Sequence, residues 1–298
     1  MPRRAPKAAA PTAPAPTAAA APPPTPSPPL DVSALALGLT PPKARPHTTH
    51  WLRAADPLTD RVREALAAGD ACLGGALSAT PAPPASAETM VGLRVPSDPA
   101  RPRLLVVREG WSPAPDAPEA VRACAARLSA LLAPLASVCT HITGHASGPF
   151  TSLAAQHFPA GAGVPEHVDC SRLTVVVVPA GDGRLLLVDD EGLPYAPATM
   201  GAPSDAVYAV VSFPGHLASL DGGGGRRAVP AVRHAVLVSS APRSSLVLRF
   251  YPPTEATLAG GGAGAGAGSG SSVVTVGSAV SSFRASVTSA VAGGGGGG

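Results

Sequence analysis

The chain has 298 residues, of which 33 are Gly and 37 Pro, with 14% charged side chains and a formal net charge of +3. Gly and Pro exceed ordinary globular usage and concentrate at the ends: residues 1–45 form a Pro/Ala-rich leader, residues 254–298 a Gly/Ser/Ala-rich tail. The positive excess lies in that leader, where Arg3, Arg4, Lys7, Lys43 and Arg45 face only Asp31. The near-neutral remainder therefore has no basic stripe, and nucleic acid is not an expected partner.

Four cysteines, Cys72, Cys124, Cys139 and Cys170, contain no CxxC pair, which argues against a zinc site or a disulfide framework. No uninterrupted apolar run approaches about 18 residues, so no membrane association is expected. Prolines interrupt the leader wherever a signal-peptide core would fall. Both ends read as disordered low-complexity extensions. A cytoplasmic location is expected, and the basic, nearly acid-free leader also suits import into a plastid or mitochondrion.

In chain order, residues 46–150 read as a helical N-terminal part. Asp56-Pro57 before LTDRVREALAAG supplies a capping acid, Pro at the first helical position and Gly69 as a stop. A Pro/Ala loop leads to a short strand over Leu104–Val107. A longer helix over Ala117–Leu135 is predicted next, with Asp116 and Glu119 spaced as a capping box and Pro118 in the first turn. Along it Val121, Cys124, Leu128, Leu131, Leu132 and Leu135 recur at helical spacing, an apolar face that needs a flat apolar partner.

From Thr151 the period changes. The runs AAQHF, RLTVVVV, RLLLV, AVYAVVSF, HAVLVSS and SLVLRFY succeed one another, punctuated by Gly, Pro and Asp. Short strands at regular spacing read as a sandwich or barrel. The expected fold is mainly β with flanking helices: a double-stranded β-helix, or jelly roll, over residues 151–253, supported by the long helix.

Within that region His167-Val168-Asp169 places an imidazole and a carboxylate two residues apart, on one face of an extended segment. His234 opens a later strand, and Arg243-Ser244-Ser245 opens the last one. Two imidazoles and one carboxylate presented from a β-barrel match the facial triad of non-heme Fe(II) oxygenases. Arg249 has the parity of Arg243 on the final strand and is a second candidate for binding an anion. His47, His50, His141 and His145 are assigned to loops or helix ends, His216 to a turn. Trp51 and Trp111 are read as packing anchors, and Cys170 as a small buried residue.

These motifs in this order resemble the catalytic region of the isopenicillin N synthase-like 2-oxoglutarate/Fe(II) dioxygenases. The resemblance runs from Gln156 to Pro253. It rests on His167-Val168-Asp169, Leu173-Thr174-Val175-Val176, Gly183-Arg184-Leu185-Leu186-Leu187, His234, and Arg243-Ser244-Ser245 leading to Pro252. It implies Fe(II) held by His167, Asp169 and His234. It also implies 2-oxoglutarate as co-substrate, its distal carboxylate taken by Arg243 as a bidentate fork and by Ser245. The implied activity is oxidation, usually hydroxylation, of a small-molecule substrate with O2. The chain departs from the family at Phe158, where a Tyr is usual, at Ala235, where an Arg follows the distal His, and at His216, where a Gly-Asp turn has Asp. Two other readings stand beside this one: an Fe(II) oxidase of the same fold that uses no 2-oxoglutarate, and a non-catalytic jelly-roll binding module.

Overall fold

A computed structural model of the chain describes residues 47–75, 91–221, 229–258 and 274–282. The leader lies outside the described residues. The elements in chain order are β1 (Thr48–Arg53), α1 (Pro57–Leu73), β2 (Gly92–Arg94), β3 (Arg103–Arg108), α2 (Glu119–Thr143), β4 (Ser152–Phe158), β5 (Val164–His167) and β6 (Leu173–Pro179). Next come β7 (Leu185–Val188), β8 (Pro194–Tyr195), a 3-10 turn, β9 (Ala206–Pro214), α3 (His216–Leu220), β10 (His234–Val236), β11 (Arg243–Phe250), β12 (Thr257–Leu258) and β13 (Val274–Thr275).

Two antiparallel sheets face each other. The larger has seven strands in the order β1-β9-β6-β11-β4-β3-β2, and the smaller has four, β5-β10-β7-β8. Strand alternation explains how both faces of the large sheet are buried. On β6, Leu173, Val175 and Val177 enter the core under the helices, while Val176 and Val178 enter the core between the sheets. The unbroken apolar run of β6 is what a strand covered on both faces needs. On β11, Leu246, Leu248 and Phe250 face the helices, which leaves Arg243, Ser245, Val247 and Arg249 on the inner face.

The helices cover the outer face. Val121, Cys124, Leu128, Leu131, Leu132 and Leu135 of α2 all join that core, as their spacing predicts. The helix bounds differ from those expected. Residues preceding Pro118 are disfavoured in helical geometry, so α2 starts at Glu119 with Pro118 as N-cap and without a side-chain cap. It then runs through Pro134 to Thr143, where Gly144 ends it in the left-handed conformation at φ 70°. Long and apolar enough to meet the length and composition of a membrane span, α2 spends that apolar face on the sheet. In α1, Gly69 does not stop the helix. A Cβ there would lie 3.1 Å from the Ala155 Cβ, so the glycine lets helix and sheet approach.

The N-terminal part is less helical than expected. Besides the anticipated strand near Leu104, it contributes β1 and β2 to the large sheet, and β1 pairs antiparallel with β9 from Thr48↔Ser212 onward. His50, expected in a loop or at a helix end, therefore lies on a strand beside Trp51. The tail also differs from a wholly disordered segment. Leu258 on β12 and the helical residues Val276, Ala279 and Val280 bury themselves against Cys170, Leu217 and Tyr251.

Candidate metal and carboxylate site

The two histidines are brought together by strand pairing: β5 and β10 are antiparallel neighbours with His234 directly opposite His167. Their rings lie 4.1 Å apart between centroids. Asp169 lies two residues beyond the end of β5, so its carboxylate turns to the same point. His167 Nε2 is 3.8 Å from Asp169 Oδ1, and His234 Nε2 is 3.5 Å from Asp169 Oδ2. Among the described residues, this is the one group of three or more His, Cys, Asp and Glu whose ligand atoms close to within 4.8 Å of one another.

The surroundings prepare these groups as ligands. His167 Nδ1 lies 2.9 Å from the Pro165 carbonyl and His234 Nδ1 lies 3.3 Å from that of Val232. A carbonyl only accepts, so Nδ1 carries the proton in each ring and the Nε2 lone pair faces Asp169. Burial pushes the pKa of His234 down to about 4, against the pull of Asp169, so the ring is neutral near pH 7. For Asp169, burial alone would raise the pKa. The Arg249 guanidinium above all, with the neighbouring His234 and His167 rings and the Thr174 hydroxyl, outweighs it and holds the carboxyl far below its usual range. Thr174 Oγ1 donates to Oδ2 at 2.8 Å and Arg249 Nε to Oδ1 at 3.0 Å. Borderline nitrogen and carboxylate donors of this kind suit a first-row divalent ion such as Fe(II).

The loop carrying Asp169 is held from behind. His216 N donates to the Asp169 carbonyl at 2.8 Å. Gly215 packs so closely that a Cβ would lie 2.8 Å from the same carbonyl oxygen and 2.6 Å from Ser171 Oγ. His216, expected at a turn, instead opens α3, and its side chain is not in the metal group.

Arg243 and Ser245 line the same cavity between the sheets as His167, Asp169 and His234, with Gln156, Val176, Leu185 and Val247 among its walls. Arg243 is buried to 5% exposure. Its Nε donates to Asp182 at 2.6 Å, and Phe158 lies beside its guanidinium at 5.1 Å. Arg243 Nη1, Arg243 Nη2 and Ser245 Oγ are buried with no hydrogen-bond partner. Unmet donors at such depth each cost about 1–3 kcal/mol, so a planar fork and a hydroxyl left unmet together fit a carboxylate ligand. Arg249 lines the cavity too, but its Nε is committed to Asp169.

Two polar partners of the site differ in how far the sequence signals their role. Asp182, which orients Arg243, sits in the Gly181-Asp182-Gly183 turn and looks like turn chemistry. Thr174 has a visible signal, because it is the polar residue on the inner face of an otherwise apolar strand. The remaining histidines lie elsewhere. His47 is buried with Nδ1 2.7 Å from the Tyr195 hydroxyl, His141 is in the last turn of α2, and His145 Nε2 is 3.5 Å from Asp221. Trp51 and Trp111 pack against the inner and outer cores. A larger groove of about 770 Å³ lies between α2 and the segments around Trp111 and Gly148, with no histidine in its lining.

No protein-family model matches the chain, and no curated protein matches it. Solved structures do. A protein from Caulobacter crescentus described as of the 2OG-Fe(II) oxygenase family is 13% identical, with a TM-score of 0.57 over 86% of this chain and 95% of that one. A full-length Neurospora crassa protein, solved in complex with alpha-KG and thymine, is 13% identical with a TM-score of 0.53 over 81% and 87% of the two chains. The rice dioxygenase for auxin oxidation is 16% identical with a TM-score of 0.53 over 86% and 90%. The fold is therefore the jelly roll that these oxygenases share.

Proposed function

We propose that the chain is a non-heme Fe(II)- and 2-oxoglutarate-dependent dioxygenase that oxidises, typically hydroxylates, a small organic substrate with O2. The observation that carries this reading is the unmet Arg243 fork with the Ser245 hydroxyl, in one cavity with His167, Asp169 and His234. A His-Asp-His face serves many chemistries. A guanidinium beside it whose two terminal nitrogens are unmet suits a chelating ligand that carries a second carboxylate. The alpha-KG and thymine bound to the similarly folded Neurospora protein support a 2-oxo acid and a small substrate here. The order H-x-D, distal His and R-x-S supports the isopenicillin N synthase-like branch.

Fe(II), when bound, supplies the redox chemistry that turns 2-oxoglutarate and O2 into succinate and CO2 while the second oxygen atom enters the substrate. The chain's own residues supply the setting. The Nε2 lone pairs of His167 and His234 and a carboxylate oxygen of Asp169 hold the ion. Arg243 and Ser245 fix the far end of the co-substrate, and Val176, Leu185 and Val247 keep the cavity dry.

One observation favours a second reading, an Fe(II) oxidase that uses no 2-oxoglutarate: Phe158 offers no hydroxyl beside Arg243. Anaerobic addition of Fe(II) and then 2-oxoglutarate separates the two. A visible charge-transfer band on adding 2-oxoglutarate, with succinate released in air, is the expected result. Fe(II) binding without the band selects the oxidase, and absence of metal binding overturns both.

A further inference from the structure

The inner face of β11 carries two guanidinium groups, and only one is accounted for by a distal carboxylate. Arg249, six residues from Arg243 and of the same parity, reaches the metal end of the cavity and donates through Nε to Asp169 Oδ1 at 3.0 Å. Its side chain keeps 25% exposure, so part of the guanidinium stays open beyond the bond to Asp169. A metal ligand is thus already neutralised by a fixed cation before any ion arrives.

Charge balance governs binding in the cavity as a whole. Asp169 and Arg249 cancel, as do Asp182 and Arg243, and imidazoles that ligate through Nε2 contribute nothing. A divalent ion entering alone raises the local charge to +2 in a buried site, which low polarity makes costly. The dianion 2-oxoglutarate entering alone makes it −2. Both together return it to zero. Resting on the dioxygenase reading above, we infer that Arg249 is a positioning residue that makes metal and co-substrate binding mutually dependent. It holds back the bare ion by competing for Asp169, and it gives the metal-side carboxylate of the 2-oxo acid a cation to meet once the ion has bound. Without Arg249 the bare ion faces a carboxylate whose charge is uncompensated, so it binds more readily and gains less from the co-substrate.

The test is anaerobic titration calorimetry at pH 7.5 with Co(II) as the metal probe, with and without saturating 2-oxoglutarate, on the full chain. Wild type should bind Co(II) weakly alone and at least about tenfold more tightly with 2-oxoglutarate, a coupling of ordinary allosteric size. Arg249→Gln keeps a donor for Asp169 Oδ1 without the charge. It should bind Co(II) about tenfold more tightly than wild type in the absence of 2-oxoglutarate, with the coupling reduced to about twofold or less. Arg249→Lys, which keeps the charge, should retain most of the coupling, whereas a purely structural role would make the two variants fail alike. Equal coupling in wild type and Arg249→Gln, with both folded by circular dichroism, overturns the inference and leaves the dioxygenase reading standing. Loss of Co(II) binding in wild type would instead strike at that reading.

Discussion

Replacing Arg243 with Met tests the carboxylate site most directly. The side chain makes one polar contact within the protein, Nε to Asp182 at 2.6 Å, and leaves two buried nitrogens without partners. In the Met variant Asp182 still accepts from the Arg184 backbone N at 2.8 Å and lies 3.4 Å from Arg184 Nε. The stranded carboxylate is thus partly supported, and two unmet donors disappear. Removing the cation from a pair buried on both sides should cost about 3–5 kcal/mol of stability before that offset. Binding should suffer as well. Two hydrogen bonds to a charged group at about 1.5–3 kcal/mol each give a loss of about 3–6 kcal/mol, or roughly 10²–10⁴ in the Kd for 2-oxoglutarate. The assay is anaerobic titration of 2-oxoglutarate into the Fe(II)-loaded protein, with thermal unfolding run in parallel. Arg243→Lys should fall between, since it restores a point charge without the fork. A folded Met variant whose Kd stays within about threefold of wild type would refute the assignment of the co-substrate carboxylate to Arg243.

The same contacts have other measurable consequences. Thr174→Val removes the 2.8 Å donor to Asp169 Oδ2 at nearly constant volume, and Co(II) affinity should fall about 10–100-fold, as for other groups that orient metal ligands. Gly215→Ala pushes a methyl group against the Asp169 carbonyl and Ser171 Oγ, and should lower both the Tm and the Co(II) affinity, the latter by about tenfold or more; unchanged affinity would show that the loop yields freely. Ending the chain after Leu258 removes Val276, Ala279 and Val280, which are at most 5% exposed. This should cost about 3 kcal/mol of burial and lower the Tm by about 6–12 °C in calorimetry. Burial pushes the Cys139 thiol up to about 12, against about 8.5 in an unfolded chain. The native state therefore keeps a proton that the unfolded state gives up, and the stability this supplies is present below pH about 8.5 and lost as the pH rises toward 12. Cys139→Ala should flatten the alkaline fall of Tm by that contribution.

Sequence and structure agree best where one residue's neighbours along the chain decide its role. The β-branched runs from Thr151 onward, the apolar face of α2 and the parity that puts Arg243, Ser245 and Arg249 on one side of β11 are all local patterns. Disagreement gathers where a distant partner decides. TTHWLR becomes β1 because β9, about 160 residues later, offers it an edge. Gly69 stays helical because Ala155 is its neighbour in space. Parity admits both arginines to the cavity, but the assignment of Asp182 to Arg243 and of Asp169 to Arg249 depends on how the two sheets face each other. The tail composition points to disorder, and its few valines give no local signal because the surface they cover is assembled from Cys170, Leu217 and Tyr251, far apart in the chain.

The last long strand of the barrel carries the chemistry on one side and the packing core on the other, with strict alternation from Arg243 to Phe250. Substitutions can tune either side separately, but a single-codon insertion or deletion there cannot. Moving the register by one would turn Leu246 and Leu248 into the cavity and drive Arg249 into the hydrocarbon beneath the helices. Variant libraries aimed at altering what this protein accepts should therefore diversify alternate codons of that strand and hold its length fixed.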